Sequence, residues 1–435
     1  MTNSIPKRNP INTIILVFAT IIAVSSGTFI YDNGIRYFLL FFMLLFLLVP
    51  TNKNKVSYKK NTMILFYTLF SIHTMISVIY SVDKINTLKY SFIYLSCLVF
   101  ANKSFDENQY GKLFKYIEFF IIIFACSILI SAIFKDLMPQ LYFLTSKTAE
   151  EIERDISTGA FAGLAGDRAE AALLMLVGIS LCWGQFCSKT KKTSIIVLKM
   201  ILVYLALFLT SKRTLFVCSL IIPVLALLLF SKGKRKVTLI ILVIIGAIVF
   251  GYLMNNVPVF QNIIVRLNKI DDLETMNGRS KLWTVSLNML KTKPIFGYGF
   301  NTFNKVANEW GVRYGGSLGA EWIYQGHNSY LQILGELGVI GFMLYLGIFI
   351  SFFYQVFKIH KRKEELTKNQ QEGLLFCTFL MIVLLIYSIT GNCAYYLNQI
   401  FIQAILIGYI STLYKSIKRK GNDQDENQGG NTYIS

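Results

Sequence analysis

The chain has 435 residues, 54% of them hydrophobic and 14% aromatic, and a mean hydropathy of +0.52. Such a composition excludes a water-soluble globular domain and describes an integral membrane protein. Lysine and arginine outnumber aspartate and glutamate by 43 to 24, a net charge of +19. Because the cations cluster in short loops between apolar runs, the excess is read as topology and anchoring near anionic lipid, and no nucleic-acid partner is expected.

A helix needs about 20 residues to cross a bilayer core, and twelve apolar cores follow one another along the chain. They are Ile11–Val24, Tyr37–Val49, Met63–Ile79, Leu88–Phe100, Leu113–Phe134, Ala171–Phe186, Ile195–Leu209, Leu215–Phe230, Val237–Met254, Tyr330–Phe357, Leu374–Ile389 and Ile400–Leu413. The second and fourth reach full length only by taking in polar flanks. Alternate loops carry the lysines and arginines: Lys7 and Arg8, then Lys53 to Lys60, Lys103 and Lys112, Lys189 to Lys192, Lys232 to Lys236, Lys358 to Lys368, and Lys415 to Lys420. Cations are retained on the cytoplasmic side, so this record predicts an even number of spans with both termini inside. The expected fold is an all-α, polytopic membrane protein of about twelve transmembrane helices. Nine spans fill residues 1–254, a long external segment follows at 255–328, three spans occupy 329–414, and 415–435 form a disordered cytoplasmic tail. Asp423 and Asp425 in that tail have the D-x-D spacing of metal-dependent sugar transferases, read here as chance. The seven cysteines lie mostly within spans and show no pairing framework.

The first external stretch with chemistry is Lys135–Arg168. It carries Glu150, Glu151, Glu153 and Asp155, read as a solvated helix face, and then Gly159, Gly163 and Gly166 leading into Asp167-Arg168-Ala169-Glu170. Arg168 and Glu170, at the threshold of a span, are either site residues or interface anchors. The turn Ser211-Lys212-Arg213 places two cations outside, against the positive-inside bias. They are an ordinary anchoring pair, or Arg213 offers planar donors to an anionic ligand at the outer surface. In the long segment, Leu282, Trp283, Leu287 and Leu290 recur at helical spacing and predict an amphipathic helix starting near Arg279. Arg279 is placed to meet an anion at that helix start, or to pair with Asp271, Asp272 or Glu274. Lys293-Pro294-Ile295-Phe296-Gly297-Tyr298-Gly299 then ends the helix.

His327 precedes Asn328 and Ser329, either of which would cap the tenth span. It is the sole histidine expected outside, since His73 falls in a span and His360 in a cytoplasmic basic run. The positive end of a helix dipole disfavours imidazolium, so His327 is expected to be neutral and able to take a proton. Glu336 is an ionisable group inside an apolar span, which calls for a polar partner.

The run Gly326-His327-Asn328-Ser329-Tyr330-Leu331-Gln332-Ile333-Leu334-Gly335-Glu336-Leu337-Gly338 resembles the signature of the O-antigen ligase and polymerase family. So do Gly278-Arg279-Ser280-Lys281-Leu282-Trp283, the run from Lys293 to Phe300, and Thr210-Ser211-Lys212-Arg213-Thr214. The resemblance is strong from about Thr210 to Gly347. It implies a GT-C-like glycosyltransferase in the bacterial cytoplasmic membrane. The implied reaction is an inverting, metal- and cofactor-independent transfer, outside that membrane, from a polyprenyl-diphosphate-linked oligosaccharide to a sugar acceptor. Membrane lipid and a chain-length regulator are the further partners it implies. Carried over by motif, Arg213 and Arg279 would bind the diphosphate and stabilise the leaving group, and His327 would act as general base. Arg168 would be a third phosphate contact, where the family commonly has an Asn-containing variant. Glu336 and Asn328 would support the site. The expected function is a polymerase of O-antigen, capsule or similar polysaccharide, the alternative a ligase onto a lipid A core. A transporter of the same lipid-linked sugars is the reading from a different class, disfavoured because no internal repeat is visible.

Overall fold

A computed structural model describes residues 10–25, 28, 34–48, 61–103, 105–230, 273–312 and 325–429, and six positions between 237 and 252. The helices, in order, are α1 (Pro10–Val24), α2 (Ile35–Leu48), α3 (Thr62–Tyr80), α4 (Lys84–Asn102), α5 (Glu107–Ile133), α6 (Ala149–Ser157) and α7 (Arg168–Ser188). They continue as α8 (Thr193–Leu209), α9 (Arg213–Phe230), α10 (Leu273–Thr292), α11 (Phe303–Glu309), α12 (Ser329–Lys361), α13 (Lys368–Tyr387) and α14 (Leu397–Gly429). Among the described residues, six helices are long and apolar enough to cross a membrane: α3, α5, α7, α12, α13 and the Leu397–Arg419 part of α14. Ile11–Val24, Ile35–Leu48, Thr193–Leu209 and Arg213–Ala226 are shorter apolar helices. The expected span Val237–Met254 falls largely outside the described residues, as do Asp271, Asp272 and both flanks of the external segment. α14 runs on to Gly429, into the stretch expected to be a disordered tail.

The helices begin where the sequence supplies caps. Asp106 with Gln109, Thr148 with Glu151, and Thr367 with Gln370 form reciprocal capping boxes, and Asp167 and Asn328 accept the first free N–H groups of α7 and α12. α7 is the hub: nearly every residue from Ala171 to Gln185 is buried, against α5, α8, α9 and α13. Polar contacts sort the helix ends into two groups. Tyr80 donates to the Phe296 carbonyl at 2.9 Å, and Ser329 to those of Ser388 and Gly391, at one end of the bundle. Asn61 contacts Ser411 and Gln355, Gln370 contacts Glu107, and Lys103 reaches the Leu47 carbonyl at the other. The short loops of that second end carry Lys103, Lys189, Lys191, Lys192, Arg362 and Lys363. There Glu118 of α5, in an apolar wall, is matched by Lys191 and Lys199.

α12 spans 33 residues, about 50 Å at 1.5 Å per residue and longer than a bilayer core requires. It is broken at Gly338, where φ is 66° and ψ −170°. The run from Lys293 to Phe300 is threaded against this break. Val339 N–H donates to the Pro294 carbonyl at 2.9 Å, and the Glu336 carbonyl accepts from Tyr298 and Gly299 N–H, both at 2.9 Å. His73 Nε2 lies 3.3 Å from the Leu337 carbonyl. Backbone groups released by the kink are thus re-paired, as an apolar surrounding requires. A Cβ on Gly338 would stand 2.2 Å from the Ile295 carbonyl oxygen, and one on Gly297 2.2 Å from that of Glu336. Phe300, fully buried, finishes the clip by entering a cage of the buried Phe70, Tyr94 and Tyr395 and the half-buried Tyr90.

The amphipathic helix is present as α10, but it begins at Leu273, so Arg279 lies in its second turn and not at its start, and its inner stripe is not the expected one. Leu282, Val285, Ser286 and Met289 are buried, whereas Leu287 is 42% exposed and Trp283 and Leu290 are half-buried. Two contacts explain the rotation. Leu282, Val285 and Met289 close over Phe303, Val306 and Ala307 of α11, and the small Ser286 crosses α12 directly at Gly335.

Candidate active site

The segment bearing His327 is fixed on both sides. Gln325 Oε1 accepts from Asn392 Nδ2 at 2.6 Å and from Tyr396 Oη at 2.7 Å, and Gly326 N–H donates to Gln332 Oε1 at 2.9 Å. On the other side Asn328 Oδ1 caps α12 by accepting from Tyr330 and Leu331 N–H, both at 3.0 Å. Of the two caps open in the sequence, Asn328 is the one used. Ser329 instead ties α12 to the α13–α14 turn, its Oγ donating to the Gly391 carbonyl at 3.0 Å. Between these anchors His327 takes a left-handed backbone, φ 47°, costly for a residue with a Cβ and sustained by the contacts around it.

The half-buried His327 ring is held below the usual imidazole pKa, first by burial and then by the cations Arg279 and Lys212 facing it. The start of α12 acts in the same direction. Arg279 is exposed on α10. Lys212 comes from the tight turn between α8 and α9. Ser211 has φ 56° there, its Oγ donates to the Gly159 carbonyl at 3.3 Å, and Phe161 N–H donates to the Leu209 carbonyl at 2.9 Å. Burial lowers the Lys212 ammonium below its ordinary value, an effect opposed by nearby Asp167.

Lys212 also faces Lys147, Asp155, Asp167 and Arg168. Within that group Lys147 pairs with Asp155 at 2.7 Å and lies 3.9 Å from Asp167, and Arg168 Nε is 3.4 Å from Asp155. Asp155 is therefore not on a solvated face: it is 6% exposed, while Glu150 and Glu153 on the same helix do face out. Glu170 is no interface anchor either. It is buried and accepts from Asn398 at 2.9 Å and Gln399 at 3.0 Å, locking α7 to α14.

The residues expected at the site thus divide. His327 and Arg279 come together, and Arg168 joins them through Lys212. Arg213, the first residue of α9, is exposed, and no ion pair links it to a described residue. Glu336 is fully buried and serves the clip. It accepts from Asn301 N–H at 2.7 Å, Phe303 N–H at 2.9 Å, Gln332 Nε2 at 2.9 Å and Tyr395 Oη at 2.9 Å, so it caps α11 from another helix. Among the described residues no three His, Cys, Asp or Glu side chains gather as metal ligands. Lys147, Asp155 and the Gln325–Asn392–Tyr396 set carry no local sequence signal, because their partners lie on other elements. Lys212 was visible only as the neighbour of Arg213.

The arrangement offers a neutral proton acceptor under the influence of two cations at one end of a helical bundle, which suits a reaction releasing an anionic leaving group. Residues 195–346 match the family model described as O-Antigen ligase. The matched O-antigen ligase segment holds Lys212, Arg213, Arg279, His327 and Glu336, and leaves out Lys147, Asp155 and Arg168. A Rickettsia felis protein named as a polysaccharide ligase is 35% identical over 77 residues, 17% of this chain. The match spans about a fifth of that relative's length, 19%.

Proposed function

We propose that the chain is a glycosyltransferase that joins polyprenyl-diphosphate-linked repeat units into a surface polysaccharide, on the outer side of the bacterial cytoplasmic membrane. The observation that carries this reading is the facing of a neutral His327 by Arg279 and Lys212 within a segment that matches the O-antigen ligase family. His327 takes the proton of an acceptor sugar hydroxyl. The freed oxygen attacks the anomeric carbon of the donor as the bond from that carbon to the diphosphate oxygen breaks, with inversion. The electron pair leaves on the polyprenyl diphosphate, whose growing charge Arg279 and Arg213 meet with their guanidinium groups. Arg168 extends the cationic surface, while Asn328 and Glu336 hold the framework. The lysine-bearing short loops at the opposite end of the bundle support placing the site outside, with both termini in the cytoplasm.

A ligase moving the finished glycan onto a lipid A core is the second reading, favoured by the names of the matched family and relative. The donor chemistry is the same, and only the acceptor differs. A deletion strain complemented with wild type or His327→Ala separates the readings on a gel of surface polysaccharide. The polymerase predicts single repeat units on the core in the deletion strain, restored to long chains by wild type and not by His327→Ala. Long chains stranded on the polyprenyl carrier, with a bare core, would assign the ligase.

A further inference from the structure

The α8–α9 turn presents two adjacent cations, and the fold treats them differently. Arg213 is exposed, whereas Lys212 is half-buried and lies within electrostatic reach of both His327 and the 147–168 cluster. The carboxylates of that cluster are already engaged. Asp155 holds both Lys147 and Arg168, and Asp167 caps α7 through Ala169 and Glu170 N–H at 2.7 and 3.1 Å. No ion pair of Lys212 occurs among the described residues. Of the charged groups acting on Lys212, the cations Lys147 and Arg168 are matched by the carboxylates Asp155 and Asp167, so the Lys212 ammonium is an added positive charge in that set. An ammonium withdrawn from water costs free energy until an anion meets it. The turn that carries Lys212 is shaped by the left-handed backbone at Ser211 and by Ser211 Oγ donating to the Gly159 carbonyl.

We propose that Lys212 is a phosphate-binding residue of this site, its ammonium meeting the donor's diphosphate beside His327 while Asp155 holds Lys147 and Arg168 around it. This rests on the donor read above. A cation with several donors suits the place because it can meet phosphate oxygens as the leaving group departs, and both an ammonium and a guanidinium supply that charge and those donors.

The test uses the full-length protein in nanodiscs of zwitterionic lipid, titrated with polyprenyl diphosphate and, separately, polyprenyl monophosphate. Lys212→Gln is expected to weaken diphosphate binding about tenfold, to affect the monophosphate much less, and to be rescued largely by Lys212→Arg. Arg279→Gln, measured alongside, reports on the donor reading itself. If Lys212→Gln binds diphosphate like wild type while Arg279→Gln does not, the Lys212 proposal is overturned and the donor reading stands. An equal loss for both lipids, accompanied by a lower melting temperature and no rescue by arginine, would make Lys212 structural and also overturn it. Failure of the wild-type protein to bind polyprenyl diphosphate would remove the donor reading, and the Lys212 proposal with it.

Discussion

At the scale of single residues, His327 owes its chemistry to its neighbours. Burial, Arg279 and Lys212 all favour the neutral ring, which is the form a general base needs at neutral pH. His327→Ala is expected to slow glycan transfer by roughly 10²- to 10⁴-fold, measured as release of polyprenyl diphosphate. The pH profile carries a sharper expectation. Activity falls as pH drops through the histidine pKa, and Lys212→Gln or Arg279→Gln removes a cation that opposes protonation. The pKa then rises, and the acid limb should move to higher pH in either variant; an unmoved limb would mean that these cations do not face the base. Glu336 makes a different point. A carboxylate only accepts hydrogen bonds, and its two oxygens serve four donors, two of them backbone N–H groups. Glu336→Gln turns a donor toward one of those N–H groups, so it should destabilise the fold by about 1–3 kcal/mol, nearly as much as Glu336→Ala, as read by thermal unfolding in detergent. The place of His327 just before a capped helix was legible in the sequence from its neighbours, although the cap itself was narrowed only to Asn328 or Ser329. The choice between Lys212 and Arg213 was not, because a turn motif does not tell which of two neighbouring side chains points inward.

At the scale of elements, the site is held by the clip that runs from α10 through Lys293–Phe300 to α11 and closes on the break in α12. Pro294 and the glycines were legible as a helix end. That the same residues supply hydrogen bonds to a kink some forty positions later was not, since nothing local marks Gly338 as their partner. The inner stripe of α10 was misplaced for a related reason. Leucine spacing favours Leu287 and Leu290, but the approach of Gly335 selects the face with small Ser286. Gly338→Ala and Gly297→Ala should each lower the melting temperature clearly. The left-handed backbone alone costs about 1–2 kcal/mol, and the new methyl would press on a carbonyl oxygen 2.2 Å away. Unchanged melting in both variants would show that the clip does not bear on α12.

At the scale of the whole molecule, eleven of the twelve expected apolar cores coincide with helices, readable from hydrophobic patterning, and six of the described helices are long and apolar enough to cross a membrane. The gathering of Lys147, Asp155, Arg168, Lys212, Arg279 and His327 at one end came from packing, because four separate stretches of chain supply them. The orientation read from the lysine loops predicts that cysteines introduced at Ser280 and Ser157 react with a membrane-impermeant thiol reagent in intact cells. One introduced at Lys191 should react only after permeabilisation, and the reverse pattern would place the site in the cytoplasm. The central claim, a histidine-assisted transfer from a polyprenyl diphosphate, is tested most directly by incubating the purified protein with a polyprenyl-diphosphate-linked repeat unit and following free polyprenyl diphosphate. Release together with a lengthened glycan by wild type, and its loss in His327→Ala, is the predicted result. A donor left unconsumed by wild type, or consumed equally fast by His327→Ala, would contradict it.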